Sequence, residues 1–331
     1  MRYSCFLIFW FVAACLGAQD LHYSQYYLNP MSLSPAATGM FHGDLRVACL
    51  YRSQWPSVPV GYETFSGAVD WKALERGRNR LAVGLMLQND QAGDAGLSWV
   101  QLGGSIGVAH ALSAEQTLGL GFGVSLVQRH FDLQALTFKN QWGGDSFNAA
   151  LPTKETFYDA SNFAPSFSTG LNWRYQSVEK RTQVNAGGGI AHLNRTVVNL
   201  GDFAYLLPRR ISFYGNAVWQ LHYLYDLVLM SEWQSMADAE ELLFGAGIRY
   251  ILSSGLANHT AIQFAVNYRL KDAIIPSIQI ERNNWLVGIS YDWNVSSFNT
   301  ATNGRGGMEI AVIWRKIPVP ALKTVKSCPP F

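Results

Sequence analysis

Charged side chains are scarce in this chain: 15% of its 331 residues are Asp, Glu, Lys or Arg, against about 25% in an average soluble domain. The net charge of only +2 excludes functions that rest on a strong bulk field, such as nucleic-acid binding or capture of an anionic surface. There are four cysteines and no Cys-x-x-Cys pair, so neither a thiolate metal cage nor a dithiol redox motif is present. Beyond residue 18 there is no run of the ~20 apolar residues that a membrane-spanning helix needs. His110, His130, His192, His222 and His259 are scattered, with no ligand spacing. No Gly-x-Ser-x-Gly elbow occurs. Gly187-Gly188-Gly189 lies inside a strand pattern, not at the strand-to-helix turn a phosphate loop requires. The expectation is a protein without enzymatic activity, metal or cofactor. A triad assembled from distant strands is defined by geometry, which spacing does not address.

What the chain has in quantity is apolar surface (49%), aromatics (13%, with 11 Trp) and glycine (30 residues). An apolar chain with no spanning helix is either a large soluble all-β protein or a membrane β-barrel. Residues 283–316 decide between them. Trp285, Val287, Ile289, Tyr291 and Trp293 fall on one face of a strand and Leu286, Gly288, Ser290 and Asp292 on the other, because strand side chains alternate at period two. After a polar loop, Met308, Ile310, Val312 and Trp314 alternate with Glu309, Ala311 and Arg315. Aromatics close each apolar face, while small or charged residues occupy the opposite one. This is the arrangement of a transmembrane barrel, with lipid outside, a polar lumen inside and aromatic girdles at both interfaces.

The same alternation recurs from Leu45 onward, most cleanly at Leu118, Leu120, Phe122, Val124 and Leu126 against Gly119, Gly121, Gly123 and Ser125. The count is about fourteen strands, predicting an all-β antiparallel transmembrane barrel over 44–316. Its three longest connections, near 130–163, 194–209 and 294–305, all follow odd strands, and the connections after even strands are short. An N-terminus on the periplasmic side would put the long loops outside, the usual asymmetry of outer-membrane barrels. The loop at 130–163 is expected to fold over or into the mouth or to form a partner surface, with Trp142, Phe157 and Tyr158 as candidate contacts.

The flanks read differently. Arg2 followed by an apolar Phe6–Ala14 core and Leu16-Gly17-Ala18 reads as a secretory signal peptide over 1–18, cleaved after Ala18. The alternative is lipoprotein processing, with a lipid on Cys15 after Val12-Ala13-Ala14. Residues 19–43 carry Pro30, Pro35 and many aromatics without a strand or helix period. They are expected to be an ordered, extended segment packed against the periplasmic end of the barrel or partly inside it, since that much apolar side chain is hard to leave in water. The proline-rich tail 317–331 is placed in the periplasm. Cys49 and Cys328 are expected as free thiols, their pairing being the alternative.

On the inward faces stand Arg46, Asp70, Arg174, Glu232, Arg249, Arg269, Glu281, Asp292, Glu309 and Arg315. Mixed signs across a narrow lumen serve structural compensation; a selectivity-setting pore is the competing use. Asp292 and Glu309 are expected to pair with Arg46 and Arg315 near the barrel closure. The many small inward residues leave room for a plug or a peptide.

Three stretches carry a family resemblance. Gln19-Asp20-Leu21-His22-Tyr23-Ser24-Gln25, with Leu33-Ser34-Pro35-Ala36 and Gly39, forms the first. Tyr51-Arg52-Ser53-Gln54-Trp55 is the second. Gly288-Ile289-Ser290-Tyr291-Asp292, Asn303-Gly304-Arg305-Gly306-Gly307-Met308-Glu309 and the Cys328-Pro329-Pro330-Phe331 end make up the third. Together they resemble the PorP/SprF family of outer-membrane proteins of the type IX secretion system in Bacteroidetes. Ser34 stands where that family more often has Asn, and Pro330 where a basic residue is common. The resemblance implies a non-enzymatic barrel in the outer-membrane lipid. It also implies help in exporting or anchoring secreted cargo, including gliding-motility adhesins, through the cargo's C-terminal region, and association with a periplasmic lipoprotein ring and other machinery. His22, Ser24, Gln25, Pro35 and Phe331 are its candidate partner contacts.

Overall fold

The structure is a computed structural model that describes residues 20–318 apart from 57, 59–60, 94–95, 131–135, 155–162, 201–202, 256–257 and 298. The strands are β1 (Leu45–Gln54), β2 (Tyr62–Arg76), β3 (Asn79–Ala92), β4 (Leu97–Ala111), β5 (Gln116–His130), β6 (Ala164–Gln176), β7 (Gln183–Ala191), β8 (Val197–Leu200), β9 (Phe203–Leu206), β10 (Arg210–Gln220), β11 (Tyr225–Met236), β12 (Ala239–Ser254), β13 (His259–Arg269), β14 (Ala273–Arg282), β15 (Trp285–Asn294) and β16 (Arg305–Lys316). Fourteen of them close into one barrel, with β1 hydrogen-bonded to β16 in antiparallel register from Leu45↔Lys316 to Gln54↔Gly307. β8 and β9 form a separate hairpin between β7 and β10, which pair with each other in the wall.

The wall sorts its side chains as their alternation predicts. On β15, Trp285, Val287, Ile289, Tyr291 and Trp293 are exposed, while Ser290 and Asp292 are buried. On β5, Leu120, Phe122, Val124 and Leu126 face out. Aromatic pairs ring both rims, with Trp285 beside Trp314 and Tyr225 beside Tyr250 at one end, and Phe213 stacked on Trp233 toward the other. Among the described residues no helix is long and apolar enough to cross a membrane.

The two ends differ. One, the turn end, has the start of β1, the end of β16 and the short connections after β2, β4, β6, β10, β12 and β14. The other, the loop end, carries the long connections after β5, β7 and β15. The β8–β9 hairpin stands within the 194–209 connection, where Val197-Val198-Asn199-Leu200 and Phe203-Ala204-Tyr205-Leu206 read as two short strands separated by a Gly-Asp pair. It lies at the loop end, where Val198 and Leu207 pack in one apolar cluster with Leu21, Tyr23, Trp99 and Val127. The Arg129 guanidinium lies over the Trp99 ring (4.9 Å) and the Tyr205 ring (5.3 Å), tying the hairpin to the wall.

The lumen holds the chain's own N-terminal segment. Residues 20–43 are not extended: they coil through three 3-10 turns, Tyr26–Leu28, Pro30–Ser32 and Pro35–Ala37. Both prolines open their turns, where a φ locked near −65° and a missing N–H cost nothing. Nearly every residue from Leu21 to Phe41 is buried. The segment begins at the loop end, where Asp20 meets Arg210 and His192, and leaves at the turn end, where Asp44 N donates to Lys316 O (2.8 Å) as β1 starts.

Candidate functional site: the filled lumen

Along the outer part of the segment the seam is ionic. Glu309 accepts two successive backbone N–H groups, from Ser24 and Gln25, each at 2.8 Å. Asp292 accepts from Ser24 Oγ (2.7 Å), Arg52 (2.9 Å) and Arg269 (2.9 Å). Arg269 also donates to Ser24 Oγ (2.7 Å) and lies 3.5 Å from Glu241, and Arg52 donates to the His22 carbonyl (2.7 Å). Arg52, Arg269, Asp292 and Glu309 are all 3% exposed or less. In such a dry cluster each charge depends on its partners, because one left alone would be expensive. Three of the four wall residues come from β1, β15 and β16, so the clasp straddles the barrel closure. The stretches that carry the family resemblance meet here: Ser24 and Gln25 from the first, Arg52 from the second, Asp292 and Glu309 from the third.

A second clasp holds the outermost residue. Asp20 pairs with Arg210 (2.9 Å) and His192 Nε2 (3.2 Å), while His192 Nδ1 is 2.8 Å from Ser166 Oγ. Burial alone would raise the Asp20 carboxyl, but Arg210, and then His192, hold it well below the ordinary carboxylate range. Serine, histidine and aspartate thus stand in hydrogen-bonded order, with Ser166 2% and His192 1% exposed and the aspartate already claimed by Arg210. His22 Nε2 lies 3.8 Å from Glu241. Burial pushes that imidazole down to about 4, against the pull of Glu241, so the ring is neutral near pH 7. Asp20, His22, Arg210, Gln234, Glu240 and Glu241 line a small, partly open cleft beside this clasp.

Farther in, the seam changes character. The wall offers glycine backbone from β5, β6 and β7, and the turn Ser34–Ala37 lies directly on it. A Cβ added to Gly121 would overlap Ala36 N and Pro35 C, and one added to Gly189 would stand 2.5 Å from Leu33 O. Ser34 Oγ donates to Gly188 O (3.0 Å) and Ser212 Oγ to Leu33 O (2.6 Å). Of the glycines in the strand pattern at 187–189, Gly189 serves close approach of the plug backbone, while Gly187 leaves room for the Tyr214 and Asn172 side chains and Gly188 for the Phe213 ring. Neutral bonds complete the seam: Asn29 to Ser66 (2.7 Å), Gln88 to Tyr23 OH (2.8 Å), Gln279 to Tyr27 OH (2.6 Å), Tyr26 OH to Gly215 O (2.9 Å) and Thr38 to Ser105 (2.7 Å). Near the turn end Asp70 takes both Arg46 (2.8 Å) and the Gly39 N–H (2.8 Å).

The expected ion pairs are rearranged. Asp292 pairs with Arg52 and Arg269, Glu309 binds backbone, Arg46 pairs with Asp70, and Arg315 shares Glu281 with Arg249. The cause is axial distance. Arg46 and Arg315 stand opposite each other at the turn end of the closure seam, whereas Arg52 is opposite Glu309 near the loop end. Glu232 is 1% exposed, and neither of its carboxyl oxygens has a hydrogen-bond partner among the described residues. Of the candidate partner contacts, Ser24, Gln25 and Pro35 are buried and His22 half-buried inside the barrel, where they bind the wall. Trp142 is 58% exposed on the long loop. Phe157, Tyr158, Phe331, Cys328 and the signal-peptide and Cys15 readings lie outside the described residues. Cys49 is an exposed free thiol on the outer face.

Solved structures similar to this one are outer-membrane barrels. A TodX monoaromatic hydrocarbon channel deltaS2 mutant is 10% identical with a TM-score of 0.47, covering 85% of this chain and 91% of its own. The Ralstonia pickettii toluene transporter TbuX is 10% identical with a TM-score of 0.46, covering 86% and 93%. No curated protein matches the chain. Residues 16–313 match the family described as type IX secretion system membrane protein PorP/SprF. With nearly the whole barrel and its lumen segment inside that match, this chain belongs to the PorP/SprF family of type IX secretion system membrane proteins.

Proposed function

We propose that this protein is a non-enzymatic outer-membrane component of the type IX secretion system that binds secreted cargo and machinery partners, rather than a passage for solutes. The observation that carries this reading is the filled lumen. A barrel whose interior is occupied by its own chain, held by buried ion pairs, is suited to anchoring and docking. The same filling separates it from a passive or ligand-selective pore, which would need residues 20–43 to move aside. The Ser166–His192–Asp20 chain fits a structural clasp, because the hydroxyl is sealed and the aspartate is shared with Arg210. Cargo, including gliding adhesins, would be met at the loop end, where Trp142 is exposed. The periplasmic lipoprotein ring would be met at the turn end.

The test is a pull-down of tagged protein from outer membranes with the bound chains identified by mass spectrometry, alongside conductance of the purified protein in planar bilayers. Recovery of a large secreted protein or of ring lipoproteins, with little conductance, is the expected result. Recovery of the barrel alone, together with large steady conductance, would replace this reading with the pore.

A further inference from the structure

Inward-facing cations gather at the turn end below the plug. Lys72 continues the inward face of β2 set by Ser66 and Asp70, Arg80 that of β3 set by Ala82, Arg174 that of β6 set by Asn172, and Arg315 that of β16 set by Ala311 and Ile313. They lie within one another's field: Lys72 feels Arg80 and Arg174 ahead of the Glu75 and Asp44 carboxylates, and Arg174 feels Arg80, Arg46 and Arg315. Exposed His42, on the last residues of the plug, lies within the fields of Arg174, Arg315 and Lys72 and of the Glu281 carboxylate.

Compensation from the protein itself is thin. Among the described residues neither Lys72 nor Arg174 has a carboxylate ion pair. Lys72 lies over the Phe41 ring (5.3 Å) and Arg174 donates only to Gln176 (3.3 Å). The partner of Arg80 is Glu75, whose side chain is 59% exposed, and the single carboxylate of Glu281 serves both Arg249 and Arg315. The Nε atoms of Arg80 and Arg315 are buried without a hydrogen-bond partner among the described residues. The loop-end clasp, by contrast, matches Arg52, Arg210 and Arg269 with Asp20, Glu241, Asp292 and Glu309.

We infer that the turn end of the lumen is a docking site for an acidic peptide segment of a periplasmic protein, which enters end-on and pairs with Lys72, Arg80, Arg174 and Arg315. Like charges held together in a half-buried mouth raise the local potential and favour an anion that brings several charges at once. A lipid headgroup is the poorer fit. The β wall stands between the bilayer and these inward faces, and lipid would meet instead the outer-rim cations Arg76, Arg78 and Arg282 of the turns and their flanks. The inference rests on the reading that the turn end faces the periplasm.

The test uses the whole purified protein in detergent micelles and a fluorescein-labelled peptide of alternating Asp and Gly, read by fluorescence anisotropy. Wild type is expected to bind with an affinity that falls as salt is raised. The pair Lys72→Gln with Arg174→Gln should weaken binding about tenfold or more, while the rim pair Arg76→Gln with Arg282→Gln should change it less than about twofold. The charge-keeping pair Lys72→Arg with Arg174→Lys should retain binding, which separates lost charge from a disturbed fold; heat-modifiable migration checks the barrel in each variant. Equal loss from the rim pair, competition by phosphatidylglycerol vesicles as strong as by unlabelled peptide, or no binding by wild type at low salt would each overturn the inference. Binding is read on the isolated barrel, so its failure leaves the secretion reading untouched. Lost partner recovery with peptide binding intact would count against the secretion reading alone.

Discussion

Residues 20–25 and residues 34–38 belong to one continuous segment, yet the wall receives them in opposite ways. The outer stretch is gripped by charge: Glu309 takes the Ser24 and Gln25 N–H groups, and Asp292 gathers Arg52, Arg269 and Ser24. The inner stretch is gripped by shape, its Pro35–Ala36 backbone lying where Gly121 of β5 leaves no side chain and Ser34 where Gly189 of β7 leaves none. A charge clasp is strong while complete and fails abruptly when one member is removed, since the remaining charge is stranded. A shape seam spreads its energy over many weak contacts and yields in proportion to what is inserted. The segment is thus held by two seams of different kind, a brittle outer clasp and a more tolerant inner turn. Hydrogen exchange of peptides covering 20–30 and 34–41 reads the two seams separately, and heat-modifiable migration reports on the barrel.

The largest effect is expected from Arg269→Ala. Removing this guanidinium leaves Asp292 with Arg52 as its one remaining arginine and Glu241 with His22 and Gln234 as its contacts, and breaking one partner of a buried pair costs about 3–5 kcal/mol. Exchange should rise sharply over 20–30 and little over 34–41, and conductance should appear in planar bilayers. If both stretches loosen together, the segment is a single cooperative unit and the contrast is wrong.

Gly121→Val should do the reverse. Its side chain would occupy the position of the Pro35–Ala36 backbone, and overpacking of this kind costs about 1–3 kcal/mol. Exchange should rise over 34–41 with the outer clasp still protected. Unchanged protection at 34–41 would mean that the turn does not rest on this strand.

The wall was legible in the sequence and the seams were not, for one reason. Alternation at period two is local, so the outward faces and the strand count could be read from Leu120, Phe122 and Val124 or from Trp285, Val287 and Ile289 without knowing any partner. The glycines of β5 and β7 showed only that the lumen had room. Which segment fills it depends on contacts between residues such as Ser24 and Glu309, whose separation of 285 positions leaves no periodic trace. The misassigned partners of Asp292 and Glu309 have the same origin: β1 and β16 were known to be adjacent, but their register was not. Family resemblance marked the right stretches without saying that they meet, and no pattern pointed to Arg210 or His192 as holders of Asp20. Pro30 and Pro35 suggested an extended chain because proline forbids a ladder; their fixed φ serves a 3-10 start equally well.

Acidification should act most strongly at the outer end, where His22 and Asp20 lie; His42 at the turn end, also lowered by burial, responds in the same direction. His22 in the folded protein titrates near 4, below its ordinary 6.5, so between those values the released segment takes up a proton that the seated one excludes, and seating weakens as pH falls. Asp20 is also depressed, by Arg210 and His192 against the opposing effect of burial. Its contribution is present above the ordinary carboxylate range and is lost below it, in the same direction. Exchange over 20–30 should rise between about pH 6.5 and 4, and by more than over 34–41, which of these groups only His42 adjoins. A His22→Gln variant should lose the upper part of this response. A response confined to 34–41 would locate the acid-sensitive groups elsewhere.

The smallest expected effect has the opposite sign. Glu232 sits in the lumen wall on β11, fully buried, within the fields of Glu241, Arg269, Arg210 and Glu309. Neither of its oxygens has a hydrogen-bond partner among the described residues, unlike the paired carboxylates of the clasp. Replacing it with the isosteric amide removes an acid without removing a bond, so Glu232→Gln should leave stability unchanged or raise it by roughly 1 kcal/mol. Exchange over 20–30 should then be equal to or slower than in wild type. If Glu232→Gln instead loosens 20–30 as Arg269→Ala is expected to, Glu232 is acting as a charge that holds Arg269 or Arg210 in place. The clasp would then extend one strand farther from the closure than its hydrogen bonds indicate.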